Sequence, residues 1–172
     1  MKKPGTLTFV LLLFITVIVK AQNYAVPVGY KMVSQADFVS HEQDVIATVD
    51  WLQETPWTQD IAKRRAATDF LFKWIQDTPT ITIELMPQLM NLTDANNKLL
   101  ATFMGAYAKF AIQHPVYSKD EANLVAVKAL IAKYKAEPTH RKDSDIERLI
   151  KMDKTNELED WVKNDYEKSA AL

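Results

Sequence analysis

Between residues 94 and 113 the apolar side chains run most of the way round a helix. At about 100° per residue, the angle set by 3.6 residues per turn, Leu99, Leu100, Phe103, Met104, Tyr107, Phe110 and Ala111 fill one broad arc. Ala101, Gly105, Ala108 and Ile112 continue it on the far side, and only a narrow strip with Lys98, Thr102 and Lys109 is polar. A helix that is apolar on most sides is buried on most sides. The segment 94–113 is therefore predicted to be the central helix of an all-α, single-domain bundle.

Two neighbouring segments show ordinary one-sided stripes. Residues 40–54 place Val45, Ile46, Val49 and Leu52 together, and residues 119–136 do the same with Leu124, Val127, Leu130, Ile131 and Tyr134. A helix over 58–77 makes the fourth longer element. A short C-terminal pair follows at 145–153 and 156–168, where Ile146-Glu147-Arg148-Leu149-Ile150 is echoed twelve residues later by Leu158-Glu159-Asp160-Trp161-Val162. Prolines 27, 56, 79, 87, 115 and 138 fall between these segments, as expected of a residue that removes a helix hydrogen bond and clashes with the preceding turn. Capping boxes, in which a serine and an acid or amide three residues later exchange hydrogen bonds, are predicted at Ser40–Gln43, Ser118–Glu121 and Ser144–Glu147. Residues 22–37 have no assigned element. Ile81, Ile83 and Leu85 alternate with polar residues at a strand period, yet no partner strand offers itself, so 79–92 is expected to be an extended connector. Gly105, with Ala101 and Ala108, forms a small-residue surface suited to the close approach of another helix.

The N-terminus changes the picture. Lys2 and Lys3 precede an apolar run from Leu7 to Val19, and Val19-Lys20-Ala21 ends in a small residue before Gln22. This is the form of a cleaved secretory signal. Thirteen helical residues span about 20 Å, short of the roughly 30 Å of a bilayer core. Residues 1–21 are expected to be removed between Ala21 and Gln22, leaving 22–172 as one exported domain, periplasmic or extracellular. The leader takes three lysines and no acid with it, so the formal charge of −1 becomes −4. That balance argues against nucleic acid and against an anionic membrane surface once the signal is gone. The chain has no cysteine, which excludes disulfides, thiolate metal sites and thiol nucleophiles.

Two residues break the helical patterns and are the candidate binding residues. Trp51 lies opposite the stripe of 40–54, either as an exposed anchor for a partner or under cover of residues 22–37, the favoured alternative. Arg64 falls inside the apolar arc of 58–77, where a buried guanidinium needs an anionic counterpart. That counterpart is a ligand or, as favoured, an internal group such as Asp60. Arg65 is placed to pair with Asp69 at i+4. His41, His114 and His140 lie in no ligand pattern, and no H-E-x-x-H or G-x-S-x-G motif occurs. Phosphate-cradling glycine loops and calcium loops are missing as well. No catalytic residue, metal site or cofactor is assigned. The carboxylates of 143–147 and 157–160 are accounted for by helix capping and the helix dipole.

The run Phe103-Met104-Gly105-Ala106-Tyr107-Ala108-Lys109-Phe110, with Ser118-Lys119-Asp120 and Leu158-Glu159-Asp160-Trp161-Val162, resembles small exported helical proteins of Gram-negative bacteria, a family without an assigned function. The likeness covers about 65–165. It implies a fold neighbourhood and carries no catalytic residue across. The expected function is a non-catalytic binding or protein-interaction module, with another exported protein as a candidate partner. The alternatives are an exported enzyme with a non-local acid–base site, for example one using His114, and a structural envelope protein.

Overall fold

The computed structural model describes residues 24–166, and among them every regular element is a helix. The leader at 1–21, its cleavage point and the last residues of the helix expected over 156–168 lie outside the described residues. The elements are α1 (Gln35–Ser40), α2 (Glu42–Glu54), α3 (Ile61–Asp77), α4 (Pro87–Asp94), α5 (Lys98–Gln113), α6 (Lys119–Ala136), α7 (Ser144–Thr155) and α8 (Leu158–Asn164). This is an all-α bundle of longer helices with a short C-terminal pair.

α5 is the hub. It packs on α2, α3, α4 and α6, most extensively on α6, and along its length only Lys98 and Gln113 at the two ends are exposed. Lys109, from the narrow polar strip, reaches Asp50 on α2 as an ion pair. Gly105 sits where α2 and α3 both press in. A β-carbon there would lie 3.0 Å from Val49 Cγ2 and 3.1 Å from Leu71 Cδ2. α6 is covered by α7 and α8 on its other side.

Several boundaries depart from the sequence expectation. The helix expected over 40–54 is broken at His41, whose backbone (φ −100°, ψ 3°) separates α1 from α2. The capping box there is formed by Ser34 and Asp37. The Asp37 amide donates to Ser34 Oγ, and Asp37 Oδ2 accepts from the Ser34 amide at 2.8 Å. Ser40 instead ends α1 and donates its hydroxyl to the Asp37 carbonyl. The third expected box does not form, and an aspartate one residue earlier caps the helix instead. Asp143 is the N-cap of α7, and its Oδ1 accepts from the amides of Asp145 and Ile146. The box at Ser118–Glu121 forms as expected.

α3 begins at Ile61 rather than 58, because Gln59 N–H closes a turn on Pro56 and Asp60 adopts a left-handed conformation (φ 48°). The central helix begins at Lys98 rather than 94, after three turn residues. Within 79–92 only 81–86 is extended, since α4 starts at Pro87. Proline is well placed in a first helical turn, where its missing N–H has no partner to lose. Asn156, left-handed at φ 61°, turns the chain from α7 into α8, so that Ile146 and Leu149 of one and Leu158, Trp161 and Val162 of the other reach the same core.

Candidate binding site

The last carbonyls of a helix lack intrahelical partners, and at the end of α2 they are met by two buried cations. Arg64 on α3 donates to the carbonyls of Leu52 (3.4 Å), Thr55 and Pro56 (2.9 Å). Lys133 on α6 donates to those of Gln53 (3.1 Å) and Thr55 (2.7 Å). Lys133 and Glu137, each only 2% exposed at the side chain, form an ion pair at 2.6 Å. Both oxygens of Glu137 also accept from the Trp57 amide. Two cations thus face one carboxylate and the negative end of the α2 dipole. Burial pushes the Arg64 guanidinium down from its ordinary value, opposed by the charges of Glu137 and Asp60. Burial likewise pushes Lys133 down, opposed by its hydrogen bond to Glu137.

The two residues singled out in the sequence meet here. The Arg64 guanidinium carbon lies 5.4 Å from the Trp51 ring centre, and Tyr24 stacks on Trp51 at 5.3 Å. Trp51 is 3% exposed and offers no surface to a partner. Arg64 is held by backbone carbonyls and forms no ion pair with Asp60, because Asp60 is exposed at the head of α3 while the guanidinium turns inward under α2. Even so, Arg64 Nε is buried without a hydrogen-bond partner, and the residue lines a cavity.

That cavity, of about 310 Å³, lies between α3 and the start of α5. Its walls include Trp57, Ile61 and Ala101, with Arg64, Arg65 and Lys98 as cations and Asp69 as the single acid. Arg65 and Asp69 are both exposed and do not form the ion pair expected from their spacing. Lys98 lies over the Trp57 ring at 5.5 Å. A second cavity of about 520 Å³ continues along α3 under the extended segment 81–86 and carries no charged side chain. The two share Phe72 and Leu100. Together they form one groove, charged at one end and uncharged at the other, where Gln76, Thr78 and Thr82 join the apolar walls. Its floor is the strip of α5 with Leu100 and Met104, which neighbouring helices leave half-buried.

No family model, curated protein or solved structure matches this chain.

The remaining chemistry-bearing groups have local engagements. His41 bonds Asp44 at 2.8 Å, His114 bonds the Phe110 carbonyl at 2.9 Å, and His140 bonds the Glu137 carbonyl while leaning on the Tyr134 ring. The fold brings none of the three together. Among the described residues no group of three histidines or acids could hold a metal ion, and no helix is long and apolar enough to cross a membrane. A polar cavity of about 530 Å³ between α4, α7 and α8 mixes Asp145, Asp165 and Arg148, and its one tryptophan, Trp161, is buried.

Sequence reasoning missed Lys133, Glu137, Phe72 and the grouping of Arg65 with Lys98. The i,i+4 spacing of Lys133 and Glu137 was the one available signal for the buried pair.

Proposed function

We propose that this protein is an exported binding module without catalytic chemistry of its own, and that it recognises its ligand in the groove between α3 and α5. The observation that carries this reading is the half-covered strip of Leu100 and Met104. α5 is apolar nearly all round; of its half-buried apolar side chains, Leu100 and Met104 line the two adjoining cavities, which share Leu100, while Phe110 and Ile112 lie towards its other end. Ligand sites are concave, mostly apolar and supplied with a few fixed polar groups, and the groove has that composition. The buried acids support the same reading. Glu137 and Asp143, the buried acids among the described residues, are committed to an ion pair and a helix cap. Export rests on the leader alone.

The test begins with chain recovered from the exported fraction of its host, whose N-terminus should read Gln22. Titration with Nile red, a neutral dye that brightens in apolar surroundings, should give saturable emission. Leu100→Trp, which fills the junction of the two cavities from a half-buried position, should abolish it. Undiminished emission from the variant refutes the groove as the site, a chain starting at Met1 refutes cleavage of the leader, and absence of the chain from the exported fraction refutes export.

A further inference from the structure

We infer that the ligand of this groove is a single-chain amphiphile with an anionic head, of the fatty-carboxylate class; the inference rests on the groove being the binding site. Charge is distributed unevenly along it. Arg64, Arg65 and Lys98 stand at the end beside Trp57 against the single acid Asp69, and the other cavity has no charged wall. An anion therefore has a favourable end, and a cation has none.

Arg65 and Lys98 are exposed and unpaired with any carboxylate, so meeting a head group breaks no existing ion pair. Arg64, 8% exposed, backs them with a buried Nε that lacks a partner.

Length fits a tail. Along α3 the lining runs from Ile61 to Gln76, and fifteen residues at 1.5 Å each make about 22 Å. A lipid tail fills half of a hydrocarbon core, roughly 15 Å. The tail lies along Phe72, Leu100 and Met104 towards Ile83 and Leu85, and the carboxylate oxygens accept hydrogen bonds from Arg65 and Lys98. The leader of this chain, with Lys2, Lys3 and Lys20 flanking its apolar run, has the wrong sign for the cationic end.

The test uses protein expressed from the full-length coding sequence and calorimetric titration with laurate, dodecyltrimethylammonium and acetate, each below its micelle concentration. Laurate should bind at least about tenfold more tightly than the cationic amphiphile, a difference of 1.4 kcal/mol. Acetate should not bind measurably. Arg65→Glu combined with Lys98→Glu, both at exposed positions, should reverse the preference while retaining Nile red binding, which reports that the groove remains formed.

Equal affinity for the two amphiphiles, or a preference unmoved by the charge reversal, overturns the anionic class and leaves the groove standing as a site. Acetate binding as tightly as laurate overturns the tail. An acidic amphipathic peptide that displaces laurate at lower concentration overturns the small amphiphile in favour of a protein partner. Failure of the groove itself would show separately, as unaltered Nile red binding in Leu100→Trp.

Discussion

Gly105 offers a sharp test of how tightly α5 is enclosed. The β-carbon of an alanine there would stand 3.0 Å from Val49 Cγ2, 3.1 Å from Leu71 Cδ2 and 3.5 Å from Val49 Cγ1. Carbon atoms prefer about 3.5–4.0 Å, so two of the three contacts are too close by several tenths of an ångström. Val49 cannot swing away easily, because a β-branched side chain in a helix has essentially one χ1 rotamer. Leu71 is fully buried and equally confined. Relief must come from the spacing of α2 and α3 about α5. Against this, alanine is favoured over glycine in a helix interior by about 1 kcal/mol, and overpacking a well-filled core costs about 1–3 kcal/mol. Gly105→Ala should therefore lie between neutral and about 2 kcal/mol destabilising. Gly105→Leu drives three further carbons into the same space and should cost at least about 3 kcal/mol. For a domain of this size each kcal/mol lowers Tm by roughly 2–4 °C, so thermal unfolding followed by far-UV circular dichroism should show a fall of about 6–12 °C. Val49→Ala removes the closest methyl groups. Combined with Gly105→Ala it should be more stable than the two single effects predict, by about 1 kcal/mol in a double-mutant cycle. An unchanged Tm for Gly105→Leu, or strict additivity of the Ala pair, would refute the close approach of α2 and α3 at this point.

Two other expectations come from charge. Lys133→Met leaves Glu137 buried without its cation and strips a donor from the end of α2, so urea unfolding should show a loss of about 3 kcal/mol or more, the cost of breaking a buried pair; a loss below about 1 kcal/mol, the worth of a surface pair, would contradict the burial. Glu121 is held below its ordinary value near 4.5 by the backbone amide and hydroxyl of Ser118. Between the folded and ordinary values the unfolded chain binds more protons, so stability rises with pH through that window, is fully present above it, and is lost as pH falls through the folded value. Glu121→Gln should flatten the acid limb of a plot of urea midpoint against pH, and a limb as steep as before would remove the capping box from the account.

Much of the architecture was legible because it follows from local periodicity. The apolar circumference of 98–113 could be satisfied only by burial, and the stripes of α2 and α6 named their own inward faces. Ser118 and Glu121 cap α6 through contacts three residues apart, which a sequence displays directly. The misplaced boundaries at His41, Pro56–Asp60 and Pro87 were decided by turns, by the box that Asp37 completes with Ser34 and by the proline at the start of α4, while Asp143 caps α7 in place of Ser144.

The candidate site was barely legible. Trp51 and Arg64 stood out as exceptions to their helices, but the buried acid that faces Arg64, Glu137, lies 73 positions away, and the ring that covers Trp51, Tyr24, lies 27 positions before it. Side chains from α3 and α6 converge on carbonyls at the end of α2, and no spacing along the chain encodes that convergence. The groove is a different kind of tertiary product. Periodicity established that α5 must be covered, but it could not say which face the neighbouring helices would leave half-open, because that depends on how rigid cylinders of unequal length pack around a common axis. Nor could it bring Arg65 and Lys98, on separate helices, to the same end of that opening. The sequence by itself determined that this chain folds as helices around residues 98–113; only the packing of those helices decided where an apolar strip meets a cluster of cations, since burial is a demand each segment makes locally and a gap is what remains after all the demands have been met together.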